Sequence, residues 1–282
     1  MQKVSTIQAL RYTLKQWRVA GHKIAFVPTM GNLHAGHIKL LTEARKKADK
    51  VVVSIFVNPT QFGEAEDFNT YPRTEQDDEQ KLKQAGADLL FLPVVDEVYK
   101  PGSKIIVSVP ELATLHCGAS RPGHFDGVAT IVSKLFNMVQ PDISFFGKKD
   151  FQQLLLIHLL VQDLNFPIEI VGIETEREAD GLAMSSRNTH LSDKERLLAP
   201  ELYRALCRAR DAVFEGNNSF LAIEQKQIKY LTALGFTLDY FSICRSEDLQ
   251  IATEKDRNLV IIAAAKLGSP RLIDNICFSR TS

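Results

Sequence analysis

Apolar and polar positions alternate along this chain in blocks rather than residue by residue. KIAFVP (23–28) and VVVSIFV (51–57) are short, nearly unbroken apolar runs, the pattern of strands buried on both faces. Between them Ile38, Leu40, Leu41, Ala44 and Ala48 recur at helical spacing. Lys and Arg crowd the end of that stretch, near Lys50, where a helix dipole favours cations. Strand, helix and strand in about 35 residues make a βαβ unit. The pattern repeats. A polar helical stretch from Arg73 to Ala85 leads to ADLLFLP (87–93), and KIIVSV (104–109) reads as a possible further strand. A helix from Val128 to Val139 leads to DISFFG (142–147), and one from Phe151 to Leu164 leads to IEIVGI (168–173). This alternation predicts an α/β fold with a doubly wound, Rossmann-like parallel sheet.

After residue 176 the pattern changes. A polar loop, EREADGLAMSSRN, precedes helical stretches from Ser192 to Glu215 and from Ser219 to Leu234. LDYFSIC (238–244), NLVIIAAAKLG (258–268) and RLIDNICF (271–278) then read as a small antiparallel sheet. The expected division is 1–176 for the Rossmann-like domain and 177–282 for a smaller α+β domain acting as a lid.

Composition narrows the class. The chain has 282 residues, ample for a sizeable core, and 34 Lys and Arg balance 34 Asp and Glu. Zero net charge gives no overall steering toward nucleic acid. Cys117, Cys207, Cys244 and Cys277 show neither CxxC nor zinc spacing, so they read as reduced thiols of a cytoplasmic protein. The amphipathic N-terminal stretch does not read as a secretory signal. No apolar run approaches the roughly 18 residues of a membrane span.

In a doubly wound sheet ligands gather at the carboxyl ends of the strands. PTMGNLHAGH (28–37) lies on the first strand-to-helix turn. Gly31 and Gly36 suit a sharp turn and close ligand approach. The helix start suits phosphate, and His34 and His37, i and i+3, can share one face there and donate to it. The plain alternative is two surface histidines. Zinc is disfavoured because no third ligand is suggested nearby. In VNPTQFG (57–63), Asn58 and Gln61 can both donate and accept, and Gln61 could bind a hydroxyl or a carboxylate; the alternative is an ordinary turn built by Asn-Pro and Gly. In FGKKDFQQ (146–153), Gly147 permits close approach, Lys148 and Lys149 can meet phosphate, and Asp150 can orient a lysine or a ribose hydroxyl. Gln152 and Gln153 are adjacent, so one of them faces the site, and Gln153 is chosen. In MSSRN (184–188), two hydroxyls and an arginine can wrap a triphosphate, or belong to a solvated linker.

PTMGNLHAGH, VNPTQFG, HFDGVATIV, FFGKKDFQQ, DGLAMSSRN and RLIDN occur in the order of the pantothenate synthetase family, which the chain resembles from end to end. HAGH resembles the HxGH signature of the wider nucleotidyltransferase superfamily, and MSSR its mobile KMSKS-like loop. The resemblance implies two steps: (R)-pantoate and ATP give pantoyl adenylate and pyrophosphate, then β-alanine gives pantothenate and AMP. It places Met30, Gly31, Asn32, Leu33, His34, Ala35, Gly36 and His37 on ATP, with His37 as proton donor and His34 on the phosphates. Gly147, Lys148, Lys149, Asp150, Glu176, Met184, Ser185, Ser186 and Arg187 would complete the ATP site. His34, His37, Lys149 and Arg187 would be catalytic. Gln61 and Gln153 would hold pantoate, with Gln61 also near β-alanine. Mg²⁺ is implied, carried mostly by phosphate oxygens. Asp77 and Asp78 could be outer contacts to it, although exposed helix charges are the favoured reading. A homodimer built through the larger domain is implied as well, and no membrane or nucleic-acid partner. Two departures stand out: Glu176, where the family has a small apolar residue, and DYFSIC in place of a more acidic strand. An enzyme that stops at adenylate or dinucleotide formation remains an alternative. So does a non-catalytic RNA-binding relative of a tRNA synthetase.

Overall fold

The computed structural model describes residues 1–63, 68 and 71–280. The chain enters with a short strand, β1 (Gln2–Val4), and helix α1 (Ile7–Val19). The first βαβ unit follows as β2 (Ile24–Thr29), α2 (Ala35–Lys47) and β3 (Lys50–Ile55). Val51, Val52 and Val53 are buried because both faces of the sheet are covered, which is why this strand is apolar at consecutive positions. Helix α3 (Glu75–Ala85) leads to β4 (Leu89–Phe91). Three one-turn helices, α4 (Val95–Val98), α5 (Pro110–Ala113) and α6 (His116–Ser120), carry the chain to the long apolar helix α7 (His124–Val139). Strand β5 (Ile143–Gly147), a 3₁₀ turn at Lys148–Asp150, helix α8 (Phe151–Asp163) and β6 (Glu169–Ile173) complete the sheet.

All pairings in this sheet are parallel, and the order is β1-β4-β3-β2-β5-β6. The strands after β2 build outward on one side of it, and β5 and β6 build on the other. The switch point therefore lies between the carboxyl ends of β2 and β5, where a doubly wound sheet opens its crevice. PTMGNLHAGH leaves β2 there, and FGKKDFQQ leaves β5.

Three helices follow, α9 (Asp193–Leu198), α10 (Glu201–Phe214) and α11 (Phe220–Ala233). The single helical stretch expected over 192–215 is thus two helices. They divide at Ala199–Pro200, because proline has no N–H to continue a ladder. Strands β7 (Thr237–Arg245), β8 (Asn258–Lys266) and β9 (Arg271–Ser279) form the antiparallel sheet in that order. β8 is buried from Leu259 to Ala265. Its alternate side chains serve two cores. Leu259, Ile261, Ala263 and Ala265 pack with α10 and α11, while Val260 and Ile262 join the core of the larger sheet.

KIIVSV is not a strand. Ile105 and Ile106 are 85% and 70% exposed, and the segment is held against α7 instead: the Val107 amide donates to the Thr130 hydroxyl at 2.9 Å, and that of Val109 to Asp126 at 3.3 Å. All four cysteines are free thiols. Among the described residues no helix is long and apolar enough to cross a membrane.

Candidate active site

The turn after β2 is held from below by one carboxylate. Gly31 has φ +83° and Asn32 φ 50°, so the backbone passes through the left-handed region and turns the Asn32 and Leu33 amides toward α3. Asp78 of α3 accepts from the Asn32 amide at 2.8 Å, the Leu33 amide at 2.7 Å and the Thr74 hydroxyl at 3.1 Å. Lys81, one turn on, donates to the Leu33 carbonyl at 2.8 Å. Asp78 is fully buried, so its reading as an exposed helix charge is wrong: its oxygens are committed to the turn, while Asp77 faces solvent.

His34 and His37 cap α2 reciprocally. The Gly36 amide donates to His34 Nδ1 at 3.2 Å, and the His34 amide donates to His37 Nδ1 at 3.3 Å. A Ser/Thr and a Glu ordinarily make this box. Here two imidazoles make it, with ring centroids 4.1 Å apart. A neutral ring that accepts at Nδ1 carries its proton on Nε2, so the hydrogen-bond network assigns both Nε2 atoms as donors. Burial, then the nearby Lys149 charge, lowers His34 to a pKa of about 4. Burial, then His34 and Lys149, lowers His37 to about 3. Both rings are thus neutral N–H donors at neutral pH. Gly36 has a purpose other than backbone freedom. A Cβ there would lie 2.9 Å from His34 Cε1, so glycine makes room for the imidazole that caps its own helix.

Gln61 sits in a 3₁₀ turn, Pro59–Gln61, after β3. Asn58 is buried and organises this turn: its Nδ2 donates to Gln61 Oε1 and to the Gly127 carbonyl, both at 3.1 Å. Its Oδ1 accepts from the Thr60 hydroxyl at 3.0 Å and the Tyr99 hydroxyl at 2.9 Å. Gln61 Nε2 reaches Met30 Sδ at 3.1 Å, which joins the second motif to the first. His124, buried at the start of α7, bonds the Gln61 carbonyl through Nδ1 at 2.8 Å.

The structure separates the paired residues of FGKKDFQQ. Gln152 is buried and its side chain donates to the carbonyls of Leu112 (2.8 Å) and Leu115 (2.9 Å) and accepts from the Cys117 amide (3.1 Å). Its amide is therefore occupied with the short helices before α7, and Gln153 is the half-buried neighbour. Lys148 pairs with Glu174, whereas Lys149, Asp150, Gln153 and Arg187 line one cavity. The space around a Gly147 Cβ is open, consistent with room for a ligand.

The MSSRN segment is more structured than a bare polar loop. Arg177 and Ala183 form an antiparallel bridge, the Met184 amide donates to the Glu176 carbonyl at 2.9 Å, and Ser185 caps a 3₁₀ turn over Ser186–His190. The Glu176 side chain pairs with Lys39 of α2 at 2.8 Å, tying this strand end to the HAGH helix. Sequence reasoning weighed Asp78 only as an outer metal contact or an exposed charge, and gave no role to Lys81, to His124 or to the Asp-Asn pair of RLIDN. Each acts through contacts far away in the chain.

Fold and site together define an α/β enzyme with an HAGH turn at the switch point of its parallel sheet. Residues 2–277 match the pantoate–β-alanine ligase family, and the chain belongs to that family. It is 52% identical over 278 residues to the pantothenate synthetase of Pseudomonas fluorescens SBW25, covering 98% of each chain. It is 54% identical over 279 residues to that of Shewanella oneidensis, covering 97% of this chain and 98% of that one. The crystal structure of pantothenate synthetase from Thermus thermophilus superposes with a TM-score of 0.92 at 45% identity, over 98% of this chain and 99% of that one. A pantoate–β-alanine ligase from Francisella tularensis, complexed with β-γ ATP and β-alanine, gives a TM-score of 0.82 at 34% identity, over 98% of this chain and 97% of that one.

Proposed function

We propose that the protein condenses (R)-pantoate with β-alanine, using ATP, through a pantoyl-adenylate intermediate. In the first step a pantoate carboxylate oxygen attacks the α-phosphorus of ATP, and the bond to pyrophosphate breaks. In the second the β-alanine amine attacks the acyl carbon, loses its proton, and AMP departs. The observation that carries this reading is the switch-point cluster: two neutral imidazoles with their N–H on Nε2, at a helix start, within electrostatic reach of the Lys149 ammonium. Such donors hydrogen-bond phosphate oxygens as negative charge moves onto the leaving pyrophosphate.

The residues then take these roles. Met30 to His37 receive ATP along the turn, with His34 and His37 donating to phosphate oxygens. Lys149 stabilises the phosphates, Asp150 lies near the ribose, and Gly147 and Lys148 flank the nucleotide. Gln61 and Gln153 hold the hydroxyls and carboxylate of pantoate, and Gln61 also adjoins β-alanine. Met184, Ser185, Ser186 and Arg187 close over the triphosphate, with residues 177–282 acting as the lid. Glu176 meets the nucleotide through its backbone, since its side chain is engaged by Lys39.

The donor set also bears on Mg²⁺. Among the described residues no group of three or more His, Cys, Asp or Glu side chains could hold a metal, and Asp78 is occupied by the turn. Among the described residues there is thus no resident cage, and Mg²⁺ carried by the nucleotide substrate, whose phosphates supply most of its ligands, fits this donor set. A cytoplasmic homodimer completes the reading. The test is AMP release by purified protein with ATP and Mg²⁺, adding pantoate and β-alanine separately and together. AMP and pantothenate in equal amounts only with both acids supports it. A folded protein that stays silent with all substrates present refutes it.

A further inference from the structure

RLIDN is a sequence motif to which the reaction as proposed assigns no role. Its Asp274 and Asn275 are adjacent on β9 and both buried, and consecutive strand residues face opposite sides of a sheet. Asn275 pairs with Ile262, whose side chain joins the core of the larger sheet; Asp274 pairs with Ala263, which joins the core beneath α10 and α11. The two side chains therefore reach two different parts of the molecule from one point of the backbone.

Asn275 Nδ2 donates to the Lys148 carbonyl at 2.9 Å and to the Lys149 carbonyl at 2.8 Å. Both amide hydrogens are used, and both go to the turn that carries Lys149. Asp274 takes the guanidinium fork of Arg177 at 2.6 and 2.9 Å. Arg177 also donates to the Gly181 carbonyl at 3.1 Å and stacks 3.5 Å over the Tyr203 ring. It thereby fixes the base of the segment that runs on to Met184–Arg187. The Asn275 amide closes the arrangement by donating to Asp274 Oδ1 at 2.8 Å.

A buried ion pair adds little net stability over an apolar packing of the same volume, and its best-attested use is to fix one geometry among several. Lysine in particular is a point charge on a flexible stem, so its location depends on how firmly its backbone is held. We infer that Asp274 and Asn275 are positioning residues that hold the Lys149 turn and the Met184–Arg187 segment in one register, so that cations from both converge on the same triphosphate. This inference rests on the phosphate roles proposed for Lys149 and Arg187.

Asn275→Ala and Asn275→Asp test it. The second keeps the shape of the side chain but offers no donor to the two carbonyls. Two readouts are needed: steady-state kinetics of the complete reaction, corrected for folded fraction, and amide deuterium exchange of peptides spanning 147–153. The expected result is a loss in kcat approaching 100-fold, the order a small misplacement causes, with KM for pantoate within about twofold of the parent. Exchange over 147–153 should quicken by about tenfold through local opening, with global unfolding near that of the parent protein. Parent-like kcat per folded molecule in both variants, or unchanged exchange over 147–153, overturns the inference. If the parent protein itself releases no AMP, the proposed reaction fails instead, and the exchange measurement still decides whether Asn275 holds the turn.

Discussion

Replacing Asp78 by Asn tests the proposal that one buried carboxylate shapes the nucleotide turn. Asp78 Oδ2 serves two donors, the Asn32 amide and the Thr74 hydroxyl, while Oδ1 serves the Leu33 amide alone. The asparagine amide would keep its oxygen at the busier position. Its NH₂ would then face the Leu33 N–H, donor against donor. Leu33 is 2% exposed, so no water can take the carboxylate's place. A hydrogen bond to a charged group contributes about 1.5–3 kcal/mol, and a buried orphaned N–H costs about 1–3 kcal/mol. Since the neutral amide still accepts the other two bonds, a net loss of about 2–4 kcal/mol is expected. With a urea slope of about 2 kcal/mol per molar, the midpoint should fall by roughly 1–2 M. The same substitution at exposed Asp77 should change stability by less than about 0.5 kcal/mol.

Stability alone would only show that Asp78 is a good contact. The stronger claim is that it presents the turn to ATP. For Asp78→Asn, KM for ATP should rise by about tenfold or more under conditions where the variant is fully folded, with KM for β-alanine little changed. Equilibrium urea unfolding followed by Trp17 fluorescence and steady-state kinetics supply the two numbers. An Asp78→Asn protein that matches Asp77→Asn in both would refute the reasoning.

Two further perturbations probe other parts of the site. A Cβ on Gly127 would lie 2.3 Å from the Thr60 carbonyl oxygen and 2.7 Å from Gln61 Cα, backbone atoms that cannot swing aside. Gly127→Ala should therefore cost about 1–3 kcal/mol of stability as overpacking and raise KM for pantoate more than KM for ATP, readable by thermal melts and initial rates. Stability should also fall as pH drops from about 6.5 toward 4. In that window the unfolded chain protonates His34 and His37, whereas the folded chain keeps them neutral until their lowered pKa values of about 4 and 3. The slope contributed is at most about 1.4 kcal/mol per pH unit per histidine, reduced by their partial exposure. The double variant His34→Gln, His37→Gln should flatten this slope in urea unfolding at a series of pH values; an identical slope would contradict the shifts.

How much of this the sequence disclosed depends on where each residue's partners lie. VVVSIFV announces a buried parallel strand because neighbours cover both its faces. KIIVSV is similarly rich in β-branched residues, yet among the described residues it joins no sheet, since composition reports what a strand requires and not whether an adjacent edge is free. β1 has three residues, one of them buried, too few for any period to show. In the site, HAGH was legible because its partners are three residues apart, although the reason for Gly36 was not: it lies in the His34 ring, not in a turn angle. Asp78 looks like any acid in the first turn of a helix, and its function comes from amides 45 and 46 residues away. Asn275 reaches carbonyls 126 and 127 residues away. Glu176, the visible departure in a family motif, becomes intelligible only beside Lys39, 137 residues earlier. The Glu176–Lys39 ion pair joins the HAGH helix to the segment that follows β6. The pattern points to a division of labour: groups proposed to touch phosphate are grouped in short motifs, while the groups that aim them are scattered, because the sheet brings distant strand ends to one edge.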